Sequence, residues 1–280
     1  MIVAVLLVFG LCLGSFANAL VWRVHEQEEV RHKKKPNKRY LHDLSISKGR
    51  SMCPNCRHTL AAIDLIPVLS WLSVRGKCRY CHKPISWQYP VVELTTSALF
   101  ILSYYYWPRV FSVAQVAVFV CWLLLVVGFM ALIIYDIRWM ILPNRIVYPL
   151  MIIATISAGI TVASALNPIS QLVHTVLSVA VGGGIFYLLF QISQGRWIGG
   201  GDVRLGWLFG LVLGAPESST MVLFLASLLG CAVALPLMLS KKMGSSSLIP
   251  FGPFLIAATV LVELFGSNAL HLYQRLLGLS

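Results

Sequence analysis

Asp136 and Asp202 are acids set against apolar sequence of membrane grade. Asp136 closes the run Val113–Tyr135, and Asp202 follows Gly199–Gly201 and precedes another apolar run. Beyond residue 90 the other acids are Glu93, Glu217 and Glu263. An ionisable group at a bilayer edge is costly to keep and marks a functional site by default. Two carboxylates within a few Å of each other cannot both ionise easily, so they share a proton. The charged member can activate water while the protonated member polarises a peptide carbonyl. That is aspartic-protease chemistry, which needs neither a Ser/His/Asp triad nor a catalytic metal. The plainer alternative for either residue alone is a carboxylate snorkelling to the interface, or one paired with Arg138 or Arg204.

The glycines are part of the signal. Gly199 and Gly201 can take positive φ and let a substrate backbone approach closely. In a membrane, such irregular backbone is tolerated only where protein or a water-filled cavity covers it. A lone Gly-x-Gly-Asp is weak, because glycine-rich turns before helices are common, and Asp136 supplies the partner. Pro143-Asn144 reads as a break before the next helix.

A second chemistry is written in cysteine. Cys53-Pro-Asn-Cys56 and Cys78-Arg-Tyr-Cys81 are two Cys-x-x-Cys pairs separated by 21 residues. Four thiolates on two tight knuckles suit a tetrahedral, structural Zn²⁺. The competing readings are a redox pair or disulfides, which a reducing cytosol disfavours. His58 and His82 stand beside the knuckles as spare ligands and read as surface residues. Cys12, Cys121 and Cys231 lie alone in apolar segments and read as packing residues.

These residues must be positioned by membrane helices. The chain is 58% hydrophobic and 11% charged, far below the roughly one-quarter charged residues of a soluble domain. Apolar segments run over 2–22, 91–107, 113–135, 146–166, 171–192, 203–214, 219–239 and 249–266. Most approach the ~17–25 residues that span a bilayer, and 203–214 is short for the task. The first lacks a basic n-region and reads as a retained anchor rather than a cleaved signal peptide. Of 22 Lys and Arg, 14 lie between Arg23 and Lys83. With that loop in the cytosol and eight spans, 20 basic residues fall inside and only Arg109 and Arg275 outside, a strong positive-inside pattern. The same topology sets Asp136 and Asp202 at the cytosolic ends of their segments.

The net charge of +12 is therefore mostly an orientation signal. The run Arg31–Arg39 reads as a solvated loop with reach to anionic lipid. Nucleic acid is not an expected partner, because no aromatic-interleaved module accompanies it. The stretch Asp64–Leu72 is too short to span and too apolar for free solution, so it lies on the membrane surface or packs under the zinc knuckle. Glu93 is read as a favourable charge at a helix N-terminus. Lys241–Ser247 reads as a short cytosolic linker, and no internal sequence repeat is evident. The expected fold is an all-α polytopic membrane protein of about eight transmembrane helices, with a small cytosolic zinc-binding domain between the first two. The expected divisions are 1–22 for the first helix, 23–90 for the four-cysteine domain and 91–280 for a membrane peptidase domain.

Taken in order, these pieces resemble the bacterial type IV prepilin peptidases, also called leader peptidase/N-methyltransferases. The likeness runs nearly end to end. It takes in Gly14–Asn18 with Arg23, Ser51–Cys56, Asp64–Leu72, Arg75–Cys81, Pro84–Ser86 and Tyr89–Glu93. It continues through Asp136 with Leu142-Pro143, Gly199–Asp202 and Ile249–Phe254. The resemblance implies two activities in the bacterial inner membrane: cleavage after glycine of the leader of prepilins and pseudopilins on the cytosolic side, and methylation of the new N-terminal amine with S-adenosylmethionine. It makes Asp136 and Asp202 the catalytic pair, and Cys53, Cys56, Cys78 and Cys81 the metal positions found in bifunctional members.

There are departures. Arg138 and Asn144 stand where further acids are frequent, which leaves Asp136 as the one carboxylate of its segment, and Arg204 replaces a frequent lysine. No Rossmann-type glycine-rich turn marks a methyl-donor pocket. Two rival classes are a general presenilin-like intramembrane aspartyl protease and a non-enzymatic zinc-anchored membrane scaffold or carrier. The four-cysteine loop argues against the first, and an effect of aspartate replacement on processing would exclude the second.

Overall fold

A computed structural model describes residues 1–32, 38–46, 48–240 and 249–276, with side chains at 1–32, 40–46, 48–240 and 249–268. Most of the basic run Arg31–Arg39, and the linker Lys241–Ser247, lie outside the described residues. Ten α-helices and no β-strands occur among the described residues. The chain divides into two compact units, Met1–Tyr104 and Tyr105–Ser280.

The first unit is organised by α1 (Ile2–Arg31) and α4 (Gln88–Tyr105). Glycine brings them together: a Cβ on Gly10 would fall 2.5 Å from Ser97 Cα, and one on Gly14 would fall 2.8 Å from Glu93 Cα. Small residues at such seams let backbones approach closely where lipid supplies no hydrophobic drive. Asn18 completes the contact, donating to the Tyr89 carbonyl at 3.3 Å and accepting from Gln88 at 2.9 Å. Between these helices lie α2 (Lys38–Asp43), a 3₁₀ turn at Ala62–Leu65 and α3 (Leu69–Ser73).

α1 continues nine residues past the expected end at 22. Its extension carries Arg23, whose guanidinium donates to the carbonyls of Ser45, Ile46 and Gly49 at 2.7, 3.3 and 3.0 Å. Gln27 donates to Leu44 O at 2.7 Å. Arg23 therefore tethers the following segment as well as contributing to the charge asymmetry.

Glu93 corrects its sequence expectation. Helix α4 starts at Gln88, so Glu93 stands beyond the first turn, buried, and accepts the Val68 N–H at 2.7 Å. Val68 sits at φ 59°, ψ −51°, a conformation that β-branched residues rarely adopt. The carboxylate thus holds the strained entry to α3 rather than a helix terminus. Trp71 of α3 donates to Ile85 O at 3.2 Å and its ring lies 4.1 Å from that of Trp87. Ile63, Leu65, Ile66, Leu69 and Leu72 remain exposed.

The second unit comprises α5 (Val113–Trp139), α6 (Asn144–Ala163), α7 (Pro168–Ser193), α8 (Gly200–Leu213), α9 (Pro216–Leu239) and α10 (Gly252–Leu276). α5 forms its core, burying Trp122, Leu125, Val126, Phe129, Leu132 and Tyr135. It packs on α6 and α10, while α8 packs on α6, α7 and α9.

Each of the eight expected apolar segments corresponds to one of the helices α1 and α4–α10. Five of these, α1, α5, α6, α7 and α9, are long and apolar enough to cross a membrane by length and composition. The 14 residues of α8 reach about 21 Å at 1.5 Å per residue, short of the roughly 30 Å hydrocarbon core. Close packing holds it in place. A Cβ on Gly206 would meet Gly182 O at 2.7 Å, and one on Gly210 would meet Val179 Cα at 2.6 Å. Ser178 of α7 ties the seam, donating to Gly210 O at 2.8 Å and sharing a 2.8 Å contact with Ser219 of α9.

Candidate active site and metal centre

Asp136 lies in the last turn of α5. Met140 ends that helix in the left-handed region at φ 53°, its N–H returning to Asp136 O at 2.8 Å. The chain turns through Leu142, and Pro143 enters α6 as its N-cap, the break that the proline predicts. Asp136 is buried, and its Oδ2 accepts the backbone N–H of Gly252, at the start of α10, at 3.1 Å.

Asp202 occupies the first turn of α8, half-buried. Leu142 joins the two: it lies 3.0 Å from where a Cβ on Gly201, beside Asp202, would be, and 3.6 Å from the same position on Gly252, the donor to Asp136. The end of α5 and the starts of α8 and α10 thus meet at one end of the second unit. Among the described residues no ion pair joins either aspartate to an arginine. Arg204 donates to Gly200 O at 2.9 Å, and Arg138 lies over the Trp139 ring at 5.7 Å. The pairing alternative raised by the sequence is therefore not the arrangement adopted.

The glycines work differently from the sequence expectation. Gly199 is the N-cap of α8 at φ −75°, ψ 149°, and none of Gly199–Gly201 takes positive φ. What Gly201 provides is closeness: its Cβ would stand 3.0 Å from the Leu142 Cβ. Gly199 leaves the space beside Asp202 open, its Cβ position being 3.6 Å from Asp202 Oδ2.

In the first unit, the two Cys-x-x-Cys turns repeat each other with an offset of 25 residues. Bridges pair Met52 with Thr59 and Lys77 with Pro84. Cys53 N–H donates to His58 O at 3.0 Å, and Cys78 N–H to Lys83 O at 2.9 Å. Arg57 and His82 both turn left-handed, at φ 58° and 57°. This structural repeat escaped the sequence comparison because little but the cysteines is shared between the two turns.

The ligand atoms of Cys53, Cys56, Cys78 and Cys81 all lie within 4.8 Å of one another, and Cys53 Sγ is 3.9 Å from Cys81 Sγ. A tetrahedron of four sulfurs around zinc at about 2.3 Å has edges of about 3.8 Å, so the donor set fits. Burial opposes ionisation of Cys78, yet N–H groups of Cys81 and Tyr80 and contacts with Cys81 and Cys53 bring its thiol down to about 7. Burial pushes Cys53 up to about 12, a proton that a bound cation would displace. His58 stacks on Tyr80 at 3.7 Å and joins the two knuckles. Asp64 braces the second, receiving Tyr80 Oη at 3.0 Å and Arg79 at 3.2 Å.

An all-helical membrane architecture with two acids converging at helix ends, alongside a four-cysteine double knuckle, defines a polytopic membrane protein with a carboxylate pair and a metal-binding cluster. Comparison with known proteins places it further. Residues 8–107 match the family described as Bacterial Peptidase A24 N-terminal domain, and residues 117–235 match the Type IV leader peptidase family. The chain is 30% identical to the prepilin leader peptidase/N-methyltransferase of Bacillus subtilis (strain 168) over 98% of each chain. It is 31% identical to the protein of that name from Aeromonas hydrophila, covering 95% of this chain and 91% of the relative. It is 34% identical to the type 4 prepilin-like proteins leader peptide-processing enzyme of Escherichia coli O78:H11, covering 91% and 93%. No solved structure matches the chain significantly. The chain belongs to the type IV leader peptidase family.

Proposed function

We propose that this protein is a prepilin leader peptidase and N-methyltransferase in which Asp136 and Asp202 form the peptidase pair. The observation that supports this most strongly is the approach of a buried and a half-buried carboxylate from sequence-distant helix ends packed about Leu142, neither of them in an ion pair with an arginine among the described residues. One member holds a proton and the other is charged. The charged carboxylate takes a proton from water as the oxygen attacks the scissile carbonyl, and the protonated one donates to the carbonyl oxygen. As the tetrahedral intermediate collapses, one hydroxyl proton returns to the carboxylate that donated it, the carboxyl that took the water proton hands it to the leaving nitrogen, and the C–N bond breaks to give an amine and a carboxylic acid, which share out their proton in water. The substrates are prepilins and pseudopilins. The cut falls after glycine at the cytosolic face of the bacterial inner membrane, where the basic first loop also lies.

The new amine is the nucleophile of the second reaction. With a reference pKa near 8 it deprotonates readily at cytosolic pH. Its lone pair takes the methyl group of S-adenosylmethionine, the sulfonium leaves as a neutral thioether, and one proton is released. Cys53, Cys56, Cys78 and Cys81 hold structural zinc, whose closed tetrahedral shell has no position for water activation. The functional divisions are those expected from the sequence, with the membrane part of α1 at 1–22, a methyltransferase-associated zinc domain at 23–90 that takes in the extension of α1, and a peptidase at 91–280. Membrane lipid is the further partner, touching the exposed apolar stretch Ile63–Leu72.

The test is incubation of purified protein with a full-length prepilin and the methyl donor, read by mass spectrometry of the pilin N-terminus. Wild type yields a shortened, methylated product. Asp136→Asn and Asp202→Asn yield neither, and normal processing by either variant overturns the proposal.

A further inference from the structure

The segment Ile249-Pro-Phe-Gly-Pro-Phe254 belongs to the sequence likeness but has been given no task in either reaction, and it lies outside both family-matched stretches. Helix α10 begins within it. The N–H groups of a first helical turn have no partner inside their own helix, and each here is accounted for. Pro253 has none. Phe254 and Leu255 both donate to Phe251 O at 3.1 Å. Gly252 donates to a side chain 116 residues away, Oδ2 of Asp136, at 3.1 Å in a buried setting.

Space at the same point is limiting. A Cβ on residue 252 would stand 2.5 Å from Asp136 Oδ2 and 3.6 Å from Leu142 Cδ2. Such a contact forces something to move, and what is nearest is the reacting carboxylate. The flanking rings fix the segment from the other side. Phe251 meets Phe186 of α7 edge-on at 6.1 Å, and Phe254 and Phe251 lie 3.7 and 3.9 Å from where a Cβ on Gly230 of α9 would be.

We infer that Gly252 is a positioning residue of the peptidase site. Its N–H pins Oδ2 of Asp136, and its missing side chain leaves that oxygen its place. With Oδ2 held, rotation of the carboxylate is arrested and Oδ1 is the oxygen left for water and Asp202. Phe251 and Phe254 hold the donor itself. This rests on the assignment of Asp136 and Asp202 as the peptidase pair.

The experiment compares Gly252→Ala with Gly159→Ala, whose new Cβ on α6 meets nothing within 4 Å, and with the two Asp→Asn variants. Each is assayed for kcat and KM of prepilin cleavage, for methylation of an already cleaved pilin peptide, and for thermal stability in detergent. A misplacement of about 1 Å at a catalytic group can cost about 100-fold. Gly252→Ala is therefore expected to lose about 100-fold in kcat, with KM within about threefold and methylation of the cleaved peptide intact. Gly159→Ala keeps full activity. If Gly252→Ala does not accumulate, Phe251→Leu loosens the anchor without crowding the carboxylate and gives the same split at about tenfold. Near-normal kcat in Gly252→Ala, or in Phe251→Leu where that variant stands in, overturns the inference and leaves the pair standing provided both Asn variants are inactive. Equal loss of cleavage and methylation with lowered stability shows a merely structural glycine and also overturns it. Cleavage by an Asn variant removes the reading beneath it.

Discussion

Leu142 stands between the two aspartate-bearing elements, its Cβ 3.0 Å from where a Cβ on Gly201 would be and its Cδ2 3.6 Å from the same position on Gly252. It follows α5 by three residues, beyond Asp136, and touches the first turn of α8, which carries Asp202. The separation of the carboxylates is therefore set by how closely the α8 backbone can approach one leucine.

Gly201→Ala makes that approach too tight for an unmoved leucine. Prepilin cleavage should fall about 10- to 100-fold, since small misplacements at a reacting group are costly. The double variant Gly201→Ala with Leu142→Ala should recover part of the loss, because the pair is in contact and its effects are not additive. Additive losses in a kinetic double-mutant cycle would show that the contact does not set the geometry.

The cysteine cluster should hold about one zinc per chain, measured by elemental analysis under reducing conditions. Cys53→Ser or Cys78→Ser should lower that content and loosen the loop to proteolysis. Protons compete with the metal for thiolates, so binding is full at neutral pH and is lost as pH falls. Protein that holds no thiophilic metal at neutral pH contradicts the centre.

Loop damage should separate the two activities. Cleavage creates the amine that is methylated, so the Asp→Asn variants should yield no methylated product from full-length prepilin, yet should methylate a pre-cleaved peptide. Cysteine variants should lose methylation more than cleavage. One methyl group adds about 14 Da, so mass spectrometry resolves both outcomes on the amine. Equal loss of both activities in a well-folded cysteine variant would point instead to a loop that presents the leader to the aspartates.

Glu263 is an intramembrane acid of a different kind. It pairs with Arg109 at 3.2 Å and is almost wholly buried, while Arg109 also faces Trp107. Glu263→Gln strands the arginine and should destabilise the protein by about 3 kcal/mol, the lower end for breaking a buried pair. Cleavage per folded molecule should remain. Thermal unfolding in detergent checks the first expectation, and an inactive but folded variant would give Glu263 a catalytic part.

How legible all this is in the sequence depends on range. The apolar segments, the Pro143 break and the Cys-x-x-Cys turns are local patterns, and each falls on a matching element. The reach of α1 to Arg31 is hidden because hydropathy follows only the apolar part of a helix that continues into water. Glu93 is misread because its partner, the Val68 N–H, is 25 residues away. Gly201 reads as flexibility and Gly252 is given no part of its own, whereas both act by letting Leu142 and Asp136 come close. Nothing in one sequence marks a hydrogen bond spanning 116 residues.

The most direct measurement is single-turnover cleavage of a prepilin by Asp136→Asn and Asp202→Asn, each shown folded by retained metal and unchanged thermal stability. Removing a general acid or base costs about 10²–10⁴-fold. The account predicts a loss of at least about 10³-fold in both variants, since neither remaining carboxylate can serve as acid and base together. Cleavage by either folded variant at near wild-type rate would contradict it.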